Sequence, residues 1–144
     1  MDRIEKALDL FENGSNCAQA VLCSFADRVG LSPELAHRLG TGLGAGLGRK
    51  QLVCGAINAG AILISLKYGN ESNIDAQTKE DTMLKVRAFL DRIEEQVGNL
   101  NCRGLLGIDI LNEVAWQKAE IEGRFEEICD NCIRKVVRYL DAVI

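Results

Sequence analysis

Histidine occurs once in this chain, at His37, and proline once, at Pro33. A lone histidine excludes a His-rich zinc or haem site and leaves no Ser/His/Asp arrangement to argue. Ile133 follows Cys129-x-x-Cys132, so the covalent haem signature is absent. Aromatic residues make up 5% of the chain and the net charge is −4. With no basic cluster and no basic–aromatic interleaving, a nucleic-acid partner is not expected. The longest apolar stretch, Leu52 to Leu66, is broken by Gly55, Asn58 and Gly60. It is shorter than the ~20 residues a membrane span requires and reads as a buried core helix. The opening Met1-Asp2-Arg3-Ile4-Glu5-Lys6 has no apolar signal region, which predicts a soluble, cytoplasmic protein.

The near-absence of proline and of β-branched runs favours helix. Ile4, Leu8 and Phe11 form one stripe over 2–12, which Asn13-Gly14 terminates. Ser15 or Asn16 caps a second helix through about Val29. Ser32-Pro33-Glu34 restarts a short third one that closes at Gly40. A central helix is expected from about Gln51 to Tyr68, with Gly55, Ala56, Ala59 and Gly60 on one narrow face open to close approach. In 76–97, Met83, Val86, Leu90, Ile93 and Val97 form the seam of a helical pair. That seam is read as intramolecular packing, with a homodimer as the alternative. A short turn at 101–107 and helices at about 109–121 and 125–143 complete the chain, and no strand pattern of period two appears. The expectation is one all-α domain over 1–144, a bundle of five to seven helices.

Against these scarcities stand six cysteines. Structural disulfides are rare in the cytoplasm, so the thiols read as ligands, redox groups or core residues. Cys17 follows the capping signal Ser15-Asn16, Cys54 opens Cys-Gly-Ala, Cys102 follows Asn101, and Cys129 lies in the first turns of the last helix. A thiol at a helix start is easily ionised, because unpaired N–H groups and the helix dipole stabilise thiolate. Cys17, Cys54, Cys102 and Cys129 are therefore the candidate ligands. Cys23, among Val21, Leu22 and Phe25, reads as core, and Cys132 lies in an apolar stripe while sharing a face with Cys129.

Glycine alternates from Gly40 to Gly48. Such spacing disfavours a regular helix. The stretch lacks the Lys-Ser or Lys-Thr ending of a phosphate loop. Gly44, Gly46 and Gly48, with Gly55 beside Cys54, are candidates to bring backbone N–H groups to an anion or to cluster sulfides.

Taken together, the residues resemble the C_GCAxxG_C_C family of redox-active proteins. Asn16-Cys17-Ala18-Gln19 matches the family's first cysteine. Gly42 to Gly48 with Cys54-Gly55-Ala56 and Gly60 matches the central block, and Leu66-Lys67-Tyr68-Gly69 its exit. Cys102-Arg103-x-Leu105-Leu106-Gly107 and Cys129 match the third and fourth cysteines, with Cys23 and Cys132 as extras. The resemblance implies a helical, cysteine-dependent redox or electron-transfer protein working with an unidentified redox partner. Three chemistries fit the residues: an iron–sulfur cluster on three or four of the candidate ligands, a dithiol/disulfide couple without metal, or a structural zinc in a scaffold that binds a partner.

Overall fold

Five of the eight helices of this chain begin behind a residue whose side chain caps them. In the computed structural model, which describes residues 1–144, α1 spans Arg3–Glu12 behind Asp2, and α2 spans Cys17–Phe25 behind Asn16; both starts are full capping boxes. Helix α3 (Pro33–Gly40) starts behind Ser32 with proline in its first turn. Helix α4 is Gly55–Tyr68, α5 is Ala76–Val97 and α6 is Cys102–Leu106. Helix α7 is Glu113–Ile121, capped by Asn112, and α8 is Arg124–Val143. Short 3-10 turns follow α2 and α3. The all-α class expected from the sequence holds. The expected count of five to seven falls short because the turn at 102–106 is a helix of its own.

Two expected boundaries shift. The second helix stops at Phe25 and continues to Arg28 as a 3-10 turn. The central helix starts at Gly55, four residues after Gln51, because Gln51 to Cys54 spend their backbone groups on another segment. Leu52 O accepts from Cys102 N at 2.7 Å, Gln51 O from Arg103 N at 3.1 Å, and Cys54 N donates to Leu100 O at 2.8 Å. This short ladder, with an isolated bridge between Val53 and Asn101, is the one strand-like feature.

The core gathers around α2 and α4. Every residue of α2 from Ala18 to Phe25 is buried, so this helix, rather than α4 alone, occupies the centre. Leu22, Phe25, Ile57, Leu63, Ile64, Phe89, Ile93, Ile133, Val136 and Leu140 are fully buried around it. The face of α5 turned inward is centred on Thr82, Phe89 and Ile93, and Met83, expected in the seam, is exposed. The small-residue face of α4 receives Phe89: a Cβ on Gly60 would stand 2.3 Å from its ring. Phe89 in turn packs on Tyr139 of α8, ring centres 5.2 Å apart.

The glycine-rich stretch forms a left-handed turn. Five consecutive residues, Ala45 to Arg49, have positive φ, and Gln51 does too. The turn is closed by Gly48 N to Gly42 O at 2.9 Å, Gln51 N to Ala45 O at 3.0 Å and Leu52 N to Gly46 O at 2.9 Å. Left-handed backbone costs roughly 1–2 kcal/mol for each residue with a side chain. Glycine at 46 and 48 limits that cost within the turn to Ala45, Leu47 and Arg49. At Gly46 no side chain fits in any case, since a Cβ would meet Leu52 N at 2.5 Å.

Candidate sulfur site

Each candidate cysteine is positioned by a different local device. Cys17 is the first residue of α2, behind Asn16, whose Oδ1 accepts from Gln19 N at 2.8 Å. The Asn16 side-chain amide also donates to Gly40 O and Thr41 O at 3.1 and 3.2 Å, tying this corner to the end of α3. Cys54 and Cys102 are brought together by the backbone ladder, Cys54 as the N-cap of α4 and Cys102 as the first residue of α6. Cys129 lies in the second turn of α8, and Cys132 one turn further on.

These five cysteines line one cavity of about 290 Å³. Its wall is otherwise mainly apolar: Phe11, Leu105, Leu106, Ile110, Trp116, Phe125 and Ile128 face it, and Arg49 is its single charged side chain. Trp116 and Phe125 pair with ring centres 6.1 Å apart. The far wall is held by Gln51, a buried side chain that donates to Ile108 O at 2.8 Å and accepts from Ile110 N at 3.0 Å. Arg124 Nε donates to Leu106 O at 2.6 Å.

Of the candidate glycines, Gly46 and Gly55 line the cavity. Gly44 instead packs on the Asn16 side chain, and a Cβ on Gly48 would point into open space. The sequence reading set Cys132 aside as an extra, yet its Sγ lies 3.6 Å from Cys54 Sγ and it faces the same cavity. Its three-residue spacing from Cys129 was the available signal. Gln51 and the Trp116–Phe125 pair were also missed, and nothing local in their sequence marks them. Cys23 is core, as expected, with its Sγ 3.8 Å from Pro33 O. His37 stands apart on the surface, its Nε2 3.0 Å from Ser15 Oγ.

The expected easy ionisation is reversed in the folded protein. Contact with Cys54, burial and repulsion from a neighbouring thiolate push the Cys17 thiol well above its ordinary value of 9.0, while the backbone groups of Ala45 and Ala56 act the other way. Contact with Cys132, followed by burial, pushes Cys54 up as well, against the pull of Cys17 and of the Ile57 backbone. Burial raises Cys102 to about 11 and Cys129 to about 12, with Cys17 adding repulsion to both. A helix terminus contributes only ~0.3–1 kcal/mol, and removing a charge from water costs more. Burial and thiol–thiol contact therefore favour the neutral form of Cys17, Cys54, Cys102 and Cys129.

The donor set is all sulfur, which suits soft metals and iron–sulfur clusters. Nevertheless, no three Cys, His, Asp or Glu side chains converge closely enough to hold one metal ion. A tetrahedral zinc, with Zn–S of about 2.3 Å, needs its sulfurs within roughly 4 Å of one another. Here Cys54 is in contact with Cys17 and Cys132, while Cys102 and Cys129 line the same cavity.

Residues 15–143 match the family described as "Putative redox-active protein (C_GCAxxG_C_C)". The chain belongs to this family. The match takes in the five cavity-lining cysteines, the glycine-rich turn and the Gln51–Cys54 ladder strand. No curated protein and no solved structure matches the chain. None of its helices is long and apolar enough to cross a membrane.

Proposed function

We propose that this C_GCAxxG_C_C protein is an electron carrier in which Cys17, Cys54, Cys102 and Cys129 hold an iron–sulfur cluster. One observation carries the reading: four cysteines from four separate segments line a single cavity, and no three of them converge closely enough to hold one metal ion. That arrangement suits a body with several metal atoms better than a lone zinc ion. Such a cluster, when bound, supplies one-electron transfer.

The residues around the sulfurs support this role. Backbone groups of Ala45, Ala56 and Ile57 and the side chain of Gln51 stabilise negative charge on Cys17, Cys54 and Cys102. Hydrogen bonds to ligand sulfur favour the reduced, more negative state. Leu106, Phe125 and Ile128 keep much of the wall apolar, while Cys17, Cys129 and Trp116 retain partial exposure, which gives a redox partner access for electron exchange.

The test is anaerobic purification followed by a visible spectrum and iron and acid-labile sulfide assays, repeated on Cys54→Ala. A brown native protein containing iron and sulfide, and a variant depleted of both, is the expected result. A colourless, iron-free native protein after anaerobic reconstitution overturns the reading.

A further inference from the structure

Cys132 has no part in the four-cysteine set, yet its sulfur is hydrogen-bonded to one of that set. Cys54 Sγ and Cys132 Sγ lie 3.6 Å apart across the interface of α4 and α8. A disulfide needs about 2.05 Å between sulfurs, so the two have to close by only about 1.5 Å. Cys54 is the N-cap of α4, at the junction of helix and extended chain, and is buried. Cys132 is fixed in the middle of α8 and almost fully buried. The Cys-x-x-Cys spacing suggests a Cys129–Cys132 couple, but the contact formed is between α4 and α8.

The geometry points to a reversible disulfide between Cys54 and Cys132 that removes Cys54 from the four-cysteine set under oxidising conditions. The bond stands on the sulfur contact alone. Its effect on iron loading rests on the cluster reading above. The oxidant is a small hydroperoxide, which can enter the cavity that both sulfurs line. One sulfur gives up its proton, attacks the peroxide as thiolate and becomes a sulfenic acid, the proton leaving with one water in the case of hydrogen peroxide. The other thiol then attacks that sulfur, forming the S–S bond and releasing a second water. Two S–H bonds are lost, and two electrons and two protons pass to the peroxide. A dithiol reductant reverses the step by exchange.

Metal-free native protein, fully reduced, is treated with a small excess of hydrogen peroxide, alkylated and digested. Cleavage before Asp130 separates Cys129 from Cys132. The expected outcome is a loss of two free thiols from six, a linked peptide joining Cys54 to Cys132, and full recovery with dithiothreitol. The absence of that link, or a dominant Cys17–Cys54 link, overturns the proposal.

Iron reconstitution then separates the bond from its consequence. Oxidised native protein is expected to load at least tenfold less iron than reduced protein, and Cys132→Ala to load equally after either treatment. Oxidised native protein that carries the bond and loads iron fully sinks the switch. A chain that forms the bond but takes no iron in either state overturns the cluster reading and leaves the Cys54–Cys132 couple standing on its own.

Discussion

Gly55 and Cys17 share a space too small for one more carbon. A Cβ on Gly55 would stand 2.7 Å from Cys17 Sγ and 2.8 Å from Leu43 O. The start of α4 can lie against the start of α2 only because position 55 has no side chain. Gly55→Ala must therefore displace the sulfur or the backbone. The expected cost is about 1–3 kcal/mol of stability from overpacking, with reduced iron content after reconstitution. Thermal unfolding and iron analysis of the variant check both; unchanged values of each would contradict the contact.

Gly60→Ala is the counterpart on the same helix, away from sulfur. Its new methyl would meet Cζ of Phe89 at 2.3 Å, with Tyr139 packed against that ring. Stability is expected to fall by about 1–3 kcal/mol, since the ring has little room to retreat. Peroxide-dependent linkage of Cys54 to Cys132 is expected to survive below the melting transition. Loss of the linkage together with stability would mean that core and sulfur site are coupled more tightly than their separation on α4 implies.

Gln51 joins the ladder to the far wall of the cavity through its hydrogen bonds to Ile108 O and Ile110 N. Truncation in Gln51→Ala leaves both backbone groups without their partner. The expected loss is about 1–3 kcal/mol. Hydrogen exchange of the Ile110 amide is expected to quicken more than that of the core amides of α2. Equal protection at Ile110 in native and variant chains would show that the side chain does not hold this segment.

The raised thiols give the metal-free protein a pH dependence whose sign follows from proton counting. In the unfolded chain a cysteine titrates near 9.0, whereas Cys102 titrates at about 11 and Cys129 at about 12 in the folded one. Between these values the folded state retains protons that the unfolded state has lost, so stability falls with rising pH. The contribution is fully present below about pH 9 and is lost progressively as pH climbs toward 11 and 12. The informative quantity is the difference between native protein and a Cys102→Ala/Cys129→Ala chain in denaturant unfolding at pH 8 and pH 10. The native chain should lose more stability over that interval; an equal loss would exclude these thiols as its source.

Much of the helical frame was legible from local signals. Asn16 and Ser32, expected as caps, hold their helices through side-chain contacts that span only three residues; Asp2 and Asn112 do the same without having been expected. The start of α4 was misread because the apolar run from Leu52 looks helical, while its backbone hydrogen bonds go to residues 100–103. On α5, Val86, Leu90, Ile93 and Val97 of the expected seam do pack on the core, while Met83 is exposed and Phe89, outside the seam, is fully buried. The spacing from Met83 to Val97 describes a seam, but the notch at Gly60 selects Phe89 as the residue that enters.

By itself, the sequence determined the all-α class and the caps at Asn16 and Ser32, and it singled out the four cysteines that resemble the family pattern. Helix caps and helical periodicity are local, and they act within a few residues of the chain. Only the tertiary structure decided that Cys132 meets Cys54, 78 residues away, because that distance is set by how α4 packs on α8. The protonation of the thiols was decided there too. A helix start favours thiolate, but burial among other thiols, which no local spacing encodes, outweighs it and keeps the sulfurs neutral.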